Sequence, residues 1–250
     1  MGLNDDIRTL IAEATCSTTE TQLLDQSVLD ATSMTFLDKI VVAAYGLSPK
    51  EIGTIKNSAK EMNFKFVGEK WSDDVTHLVV KVDDANTCDG SPLYYEALLS
   101  AKWIVNFKWM SESIGQGCWL DPEPFEVPGI KGSPHGAPSK SRINAIKLQP
   151  KLLDGFHIFL QGTFGSPYPN KRDLTGILRS GGAVILKREP DPELVPPDER
   201  GRVPTHADPK GSLAKCSHVI IFQEGPKEPE LQYDMDHLKS LPCAWLFEAL

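Results

Sequence analysis

Short apolar runs alternate with amphipathic stretches twice along this chain of 250 residues. In the copy over residues 39–125, the apolar run 40–44 leads into a turn at Gly46. In the copy over residues 155–250, the run 156–160 leads into a turn at Gly162. Because the repeat is roughly 90–110 residues long, it predicts a pair of small domains and not a solenoid, whose units have about 20–50 residues.

Each copy predicts the order strand, glycine turn, helix, strand, strand and helix, followed by a helix centred on Trp109 or Trp245. In the first copy, Ser48, Pro49 and Glu51 form a helix start, because Ser48 can cap, Pro49 fits the first turn and Glu51 completes a capping box. The predicted strands are 40–44, 64–67, 76–81, 103–105, 156–161, 183–187 and 217–222, and the predicted helices are 49–62, 92–101, 107–116 and 170–179. This order predicts an α/β fold with two domains, each a small parallel four-stranded sheet flanked by helices and packed in tandem.

Composition divides the chain into four regions. Residues 1–35 are polar and predict a leader that is partly disordered or forms one short helix. The first domain covers residues 36–127, a Gly- and Pro-rich linker with a bridging helix at 142–153 covers 128–154, and the second domain covers 155–250. The chain ends at Leu250, about one turn after Trp245. We therefore expect the last helix to be short or truncated.

A proline-rich stretch at residues 189–210 interrupts the second domain. Its six prolines predict neither a helix nor a central strand. We expect a long, solvated surface loop. A partner-binding element is the alternative, because long loops without secondary structure are often functional.

Charge and cysteine content restrict the class of protein. The net charge of −8 argues against strong direct nucleic-acid binding, which uses basic surface. No apolar run approaches the roughly 18 residues of a membrane span, so we expect a soluble intracellular protein without membrane contact. The odd number of cysteines without CxxC spacing predicts reduced thiols and neither a disulfide framework nor a zinc site. These cysteines are Cys16, Cys88, Cys118, Cys216 and Cys243.

No motif of catalysis or metal binding is present. A nucleophile elbow, a catalytic triad and paired carboxylates are all missing, so we expect no enzyme, no cofactor and no metal site. His77 and His218 occupy equivalent strand positions, which favours a structural role, and we expect the remaining histidines in loops without ligand partners. The turn 162–167, followed by Lys171 and Arg172, lacks Walker spacing and predicts a structural turn, with weak anion binding as the alternative.

The tryptophans divide by position in the repeat. Trp109 and Trp245 occupy the same position in each copy, which predicts burial in the two cores. Trp71 and Trp119 lie outside the repeat pattern. We expect these two on an exposed contact surface.

Five short motifs follow one another in an order typical of a known family. They are Thr76-His77-Leu78-Val79-Val80, Lys102-Trp103-Ile104-Val105, Trp109-x-x-x-Ser113, Gly181-Gly182 before a strand, and Trp245-x-x-x-Ala249. Over about residues 36–250 the chain resembles the tandem BRCT repeat. The resemblance implies a nuclear, non-enzymatic protein-interaction module of DNA-damage signalling and chromatin recognition.

The resemblance also implies a binding site in the groove between the repeats. BRCT pairs bind a phosphoserine peptide with a serine, a glycine and a lysine of the first repeat. Here Gly46 matches the glycine, whereas Tyr45 replaces the serine and Leu93 replaces the lysine. Ser91 and Tyr95 supply a polar and an aromatic group nearby. The predicted phosphopeptide-binding residues are thus Tyr45, Gly46, Ser91 and Tyr95.

The resemblance further implies how helices pack and which partners bind. The helix at 92–101 is expected to pack on the helix at 170–179 and on the Trp245 helix, with the linker helix beside them. The facing residues are Leu93, Ala97, Leu98 and Ala101 on one side, and Leu174, Ile177 and Leu178 on the other. The implied partner is a phosphoserine peptide or a modified nucleosome. The alternatives are an accessory module of a larger ubiquitin ligase complex, and a structural dimerisation pair without phosphopeptide binding.

Overall fold

The structure, a computed structural model, describes residues 40–200, 204–208, 210–225 and 228–249. The predicted leader at residues 1–35 lies outside this range. The chain divides into two compact units, of which the first holds the residues up to 89 together with 102–139. The second unit holds residues 90–101 and 140–250.

The first sheet has four parallel strands in the order β2-β1-β3-β4. Residues Val41 to Ala44 and all of β3 are buried, as expected of parallel strands covered on both faces. The strands are β1 (Val41–Tyr45), β2 (Lys65–Gly68), β3 (His77–Val80) and β4 (Trp103–Asn106). The predicted parallel four-stranded sheet is confirmed.

Three helices follow the strands of the first copy. They are α1 (Pro49–Ser58), α2 (Pro92–Leu99) and α3 (Phe107–Gln116). The capping box of Ser48 and Glu51 is present at the start of α1. Helix α1 is four residues shorter than predicted, because turns lead from Ala59 to Asn63, which has a φ of 50°.

The core of the first unit is built around Trp109, whose side chain is 1% exposed. Its ring stacks on His77, with centroids 4.5 Å apart, and its Nε1–H donates to the Leu120 carbonyl at 2.9 Å. The predicted burial of Trp109 is confirmed. The expectation of an exposed Trp119 is wrong, because its ring stacks on Trp109 at 5.1 Å, and Trp71 is half-buried.

The linker helix α4 spans Ala137–Ile146 and not residues 142–153. It starts earlier because Pro138 fits a first helical turn, where its missing N–H costs no hydrogen bond. It ends earlier because Leu148 has a φ of 55° and Pro150 follows. The boundaries predicted for this helix were wrong.

The second sheet repeats the first, with parallel strands in the order β6-β5-β7-β8. The strands are β5 (His157–Gln161), β6 (Val184–Ile185), β7 (His218–Phe222) and β8 (Leu238–Pro242). Strand β6 is shorter than the predicted 183–187. The second helix expected in this copy is missing from the described residues between 222 and 238, where Gly225 and Pro229 interrupt any helical pattern.

Among its described residues, the second unit contains three further helices: α5 (Lys171–Ser180), α6 (Pro197–Arg200) and α7 (Cys243–Ala249). Leu174 and Leu178 of α5 join the core of the second sheet, and Trp245 of α7 packs against that core half-buried. Helix α6 contradicts the expectation that prolines bar any helix at 189–210. A single turn forms there because Pro197 stands at its first position, where proline is tolerated.

Helix α2 belongs to the second unit, where it packs on α5. The approach is close, because a Cβ on Gly176 would overlap Oε1 of Glu96. The Tyr95 ring lies edge-on against Phe247 of α7 at 5.1 Å, and Ser141 of α4 donates to the Leu98 carbonyl at 2.5 Å. The predicted packing of this helix is confirmed, with Ala97 and Leu98 buried and Leu93 half-buried.

Within the described residues, no helix combines the length and the apolar composition needed to cross a lipid bilayer.

The substitution Trp109→Ala should lower the free energy of unfolding of the first unit by about 3–5 kcal/mol, because it removes a fully buried indole. Urea unfolding followed by circular dichroism measures this loss. The matched control Trp71→Ala removes a half-buried indole and should cost clearly less. Equal losses for the two variants would contradict the central position of Trp109.

Candidate functional site

The carboxyl edge of the first sheet brings Tyr45, Gly46 and Lys81 together. Gly46 is exposed and has a φ of 70°, a conformation that L side chains rarely adopt. The Lys81 N–H donates to the Tyr45 carbonyl at 3.1 Å, and the Lys81 Cβ lies 3.5 Å from the point that a Cβ on Gly46 would occupy. Ligands of open α/β sheets bind at this edge.

The sequence patterns did not single out Lys81 as a candidate site residue. The signal was present, because Lys81 directly follows β3 and the carboxyl ends of neighbouring parallel strands meet at one edge. The Lys81 side chain begins beside the glycine turn, whereas Leu93, which stands where the resemblance implies a lysine, lies on α2.

The N-terminus of α1, next to this turn, already holds an anion. The Ser48 N–H and the Ser48 hydroxyl both donate to Oε2 of Glu51 at 2.7 Å. The Glu51 N–H donates back to the Ser48 hydroxyl oxygen at 3.3 Å. A helix N-terminus attracts phosphate through its backbone N–H groups and dipole, and here a carboxylate occupies that position.

Ser91 and Tyr95 lie on α2, in the second unit. Ser91 is buried and caps α2, with its hydroxyl oxygen accepting the Tyr94 N–H at 3.1 Å. The Tyr95 ring is buried between Tyr94 and Phe247. The four predicted phosphopeptide-binding residues therefore divide evenly between the two units, and their role stays a prediction.

The turn after β5 holds its own lysine. The Lys171 ammonium donates to the carbonyls of Leu160 at 2.6 Å and Gly162 at 3.4 Å. The Asn170 side chain accepts the N–H groups of Arg172 and Asp173 at the start of α5. The Lys171 ammonium therefore stabilises the turn through hydrogen bonds to its backbone, which agrees with the prediction of a structural turn.

Three potential metal ligands converge on one face of the second sheet. His157 of β5 lies opposite His218 of β7 in register, and the two rings stack with centroids 4.7 Å apart. Oε2 of Glu199, in α6, lies 3.6 Å from Nε2 of His218. One ligand atom of each residue lies within 4.8 Å of the other two. The expectation that histidines other than His77 and His218 lie in loops is wrong for His157.

The environment of His218 favours a neutral imidazole. Burial lowers the pKa of His218, the neighbouring His157 lowers it further, and Glu199 opposes the shift. The His218 Nδ1 lies 2.9 Å from the Ser217 hydroxyl, which orients the ring and turns Nε2 toward Glu199. Neutral, oriented imidazoles are the form that binds metals.

The three buried thiols, Cys88, Cys216 and Cys243, are poor nucleophiles. No disulfide joins the four cysteines of the described residues, and Cys16 lies outside them. Burial raises the pKa of Cys88 and of Cys243 to about 12 and that of Cys216 to about 11. A thiol of this kind stays protonated at neutral pH, so none of the three offers a reactive thiolate.

Comparison with known proteins finds relatives of two kinds. It is 27% identical over 221 residues to the BRCA1-associated RING domain protein 1 of Arabidopsis thaliana, covering 86% of this chain and 30% of that protein. It is 28% identical over 185 residues to the human protein of the same name, covering 74% and 22%. The breast cancer type 1 susceptibility protein homolog of Rattus norvegicus is 29% identical over 155 residues, covering 60% and 8%. The chain spans less than a third of each of these relatives.

No protein-family model matches the chain. The relatives confirm the resemblance to tandem BRCT repeats. Among solved structures, the BRCT5-BRCT6 domains of Brc1 from S. pombe are similar, with a TM-score of 0.41 at 14% identity, over 59% of this chain and 65% of that one. Rad4 BRCT1,2 in complex with a Mdb1 phosphopeptide is similar with a TM-score of 0.29 at 14% identity, over 84% and 89%.

The burial of the thiols predicts their order of reactivity. In the native chain at about pH 8, a maleimide should label half-buried Cys118 faster than Cys88, Cys216 and Cys243, by at least about tenfold. Peptide mapping by mass spectrometry after a labelling time course resolves the individual sites. Labelling of the three buried thiols as fast as Cys118 would contradict the assignment, and unfolding in urea should remove the difference.

Proposed function

We propose that this chain is a non-enzymatic, nuclear protein-interaction module of the DNA-damage response that binds a phosphorylated segment of a partner protein. The observation that carries the proposal is its similarity, over most of its length, to the BRCA1-associated RING domain proteins, together with its two parallel four-stranded sheets. Because the chain spans less than a third of those relatives, the activity of the whole proteins is not transferred to it.

In this proposal the phosphate is received at the carboxyl edge of the first sheet. Gly46 lets the backbone turn without a side chain in the way, and Lys81 supplies the positive charge. Tyr45 offers a hydroxyl where the family has serine. Ser91 and Tyr95 contribute by holding α2 in place, since one caps that helix and the other packs against Phe247.

The carboxylate of Glu51 opposes this binding. It accepts the Ser48 N–H that a phosphate would otherwise accept, and its negative charge repels a dianion. A net charge of −8 adds a further unfavourable field. We therefore propose weaker binding than in a site with serine, glycine and lysine, and a strong dependence on local charge.

Fluorescence anisotropy with paired phosphoserine and unphosphorylated peptides from a library tests the proposal. Binding should require the phosphate. Lys81→Gln should weaken it by about tenfold or more, since a hydrogen bond to a charged group contributes about 1.5–3 kcal/mol. Glu51→Gln keeps a capping-box side chain and removes the charge, so it should strengthen binding.

Two exposed residues of the same unit provide matched controls. Lys60→Gln and Glu61→Gln change the charge by the same amounts in the turn that follows α1, away from Gly46. Both should leave the affinity for the phosphopeptide unchanged. Equal binding of both peptide forms, or equal effects of Lys60→Gln and Lys81→Gln, would contradict the phosphate site.

Two alternatives give different results in the same samples. A structural dimerisation pair would show no peptide binding and a dimer in analytical ultracentrifugation. A ubiquitin-transfer assay on the chain alone should show no activity, and transfer would contradict the non-enzymatic assignment.

A further inference from the structure

The cluster of His157, His218 and Glu199 in the second unit is not explained by the repeat. In the first sheet, His77 of β3 pairs in register with Val42 of β1. In the second sheet, His218 of β7 pairs with His157 of β5 at the corresponding position. The repeat therefore explains His218 as the counterpart of His77. It explains neither the second imidazole, where the first copy has valine, nor the carboxylate of Glu199.

Stacking in the first copy shows what a structural histidine does. His77 packs its ring on Trp109 at 4.5 Å and shares a 2.9 Å contact with the Thr76 hydroxyl. His218 keeps the hydroxyl contact through Ser217 at 2.9 Å, but its ring faces another imidazole. His218 therefore stacks on a polar imidazole, whereas His77 stacks on the largely apolar indole of Trp109. A purely structural role does not require that difference.

One buried polar atom of the group has no hydrogen-bond partner within the described residues. Nδ1 of His157 is buried and forms no hydrogen bond within the described part of the chain. A buried polar atom without a partner costs about 1–3 kcal/mol, so it is expected to bind something. Nε2 of His218 faces Oε2 of Glu199 at 3.6 Å, too far for a hydrogen bond and close enough for both atoms to contact one small cation.

We propose that His157, His218 and Glu199 form a binding site for one zinc ion. Two imidazoles and one carboxylate are ligands that Zn²⁺ prefers, with bond lengths of about 2.0–2.2 Å and a water at the fourth position. Two ligand atoms on such an ion lie slightly more than 3 Å apart, close to the observed 3.6 Å between His218 and Glu199. The two rings stack nearly parallel, so the His157 ring has to turn about its Cβ–Cγ bond to direct a nitrogen at the ion that His218 binds. The contact of Ser217 with Nδ1 of His218 is the kind of outer hydrogen bond that orients a ligating histidine.

The ion joins the proline-rich segment to the sheet. Two ligands come from neighbouring strands of the sheet and the third from α6, within residues 189–200. Val195 is buried, and the Arg200 guanidinium donates to the carbonyls of Val195 and Glu193, so this segment has a defined conformation around Glu199. Zinc would link Glu199 to two strands that are distant from it in sequence, and it would thereby order this segment further.

Metal binding to the full chain, prepared without a histidine tag and dialysed against a chelator, tests the proposal. Isothermal titration with ZnCl₂, checked by elemental mass spectrometry, should give one zinc per chain with a dissociation constant of about 1 μM or lower. Cobalt in place of zinc should give the visible absorption of a four-coordinate site without thiolate charge-transfer bands.

Two variants remove ligands while preserving the fold. His157→Val installs the residue that the first copy carries at this position, and Glu199→Gln removes one charge from a short surface helix. Each should weaken zinc binding by at least about 100-fold, because even residues behind the ligands cost about 10–100-fold. His135→Gln and Glu193→Gln are the matched controls and should leave affinity unchanged.

Amide hydrogen exchange provides a second readout. Zinc should slow exchange at residues 193–200 of the wild-type chain and have no such effect in Glu199→Gln. Three results would overturn the proposal: no zinc bound by the wild type, wild-type affinity in either ligand variant, or a cobalt spectrum with thiolate bands. Zinc binding without any change of exchange in this segment would overturn the cross-link.

Discussion

The close packing of α2 on α5 is the contact on which the rest of the second unit depends. Gly176 has no room for a side chain because Glu96 lies against it, and Tyr95 fills space beside Phe247. A helix that the sequence places in the first copy is therefore a structural part of the second unit. Its capping serine and its aromatic ring are committed to this packing, whereas Gly46 and Lys81 at the carboxyl edge of the first sheet are exposed.

The two copies share a scaffold and differ in the groups attached to it. Both have four parallel strands in the same order, a buried apolar middle strand and a hydroxyl–histidine pair at its start. At the sheet edge, the first copy places Lys81 beside Gly46, whereas the second uses Lys171 to bind backbone carbonyls. On the sheet itself, the first copy packs a histidine on tryptophan and the second packs it on His157. These differences support the two proposals, an anion site in the first copy and a cation site in the second.

Sequence patterns predicted the elements that depend on local physics. The capping box predicted the start of α1. Short apolar runs located seven of the eight strands found in the described part of the chain, because a buried parallel strand needs a continuous apolar stretch. They missed β8, whose Lys239 and Ser240 interrupt the apolar pattern, and they misplaced α4, whose end depends on the backbone at Leu148. The side-chain groupings at the sites could not be predicted in the same way. Lys81 meets Gly46, and Glu199 meets His218, only through the strand order and the path of a proline-rich segment.

Hydrogen exchange in an Ala97→Glu variant tests most directly whether α2 is a structural part of the second unit. Ala97 is fully buried on α2, and a carboxylate there would be buried without a designed partner. Exchange should become faster in α5 and α7, while β1 and β3 of the first sheet keep their protection. Faster exchange confined to the first sheet, or unchanged protection of α5, would contradict the assignment of α2 to the second unit.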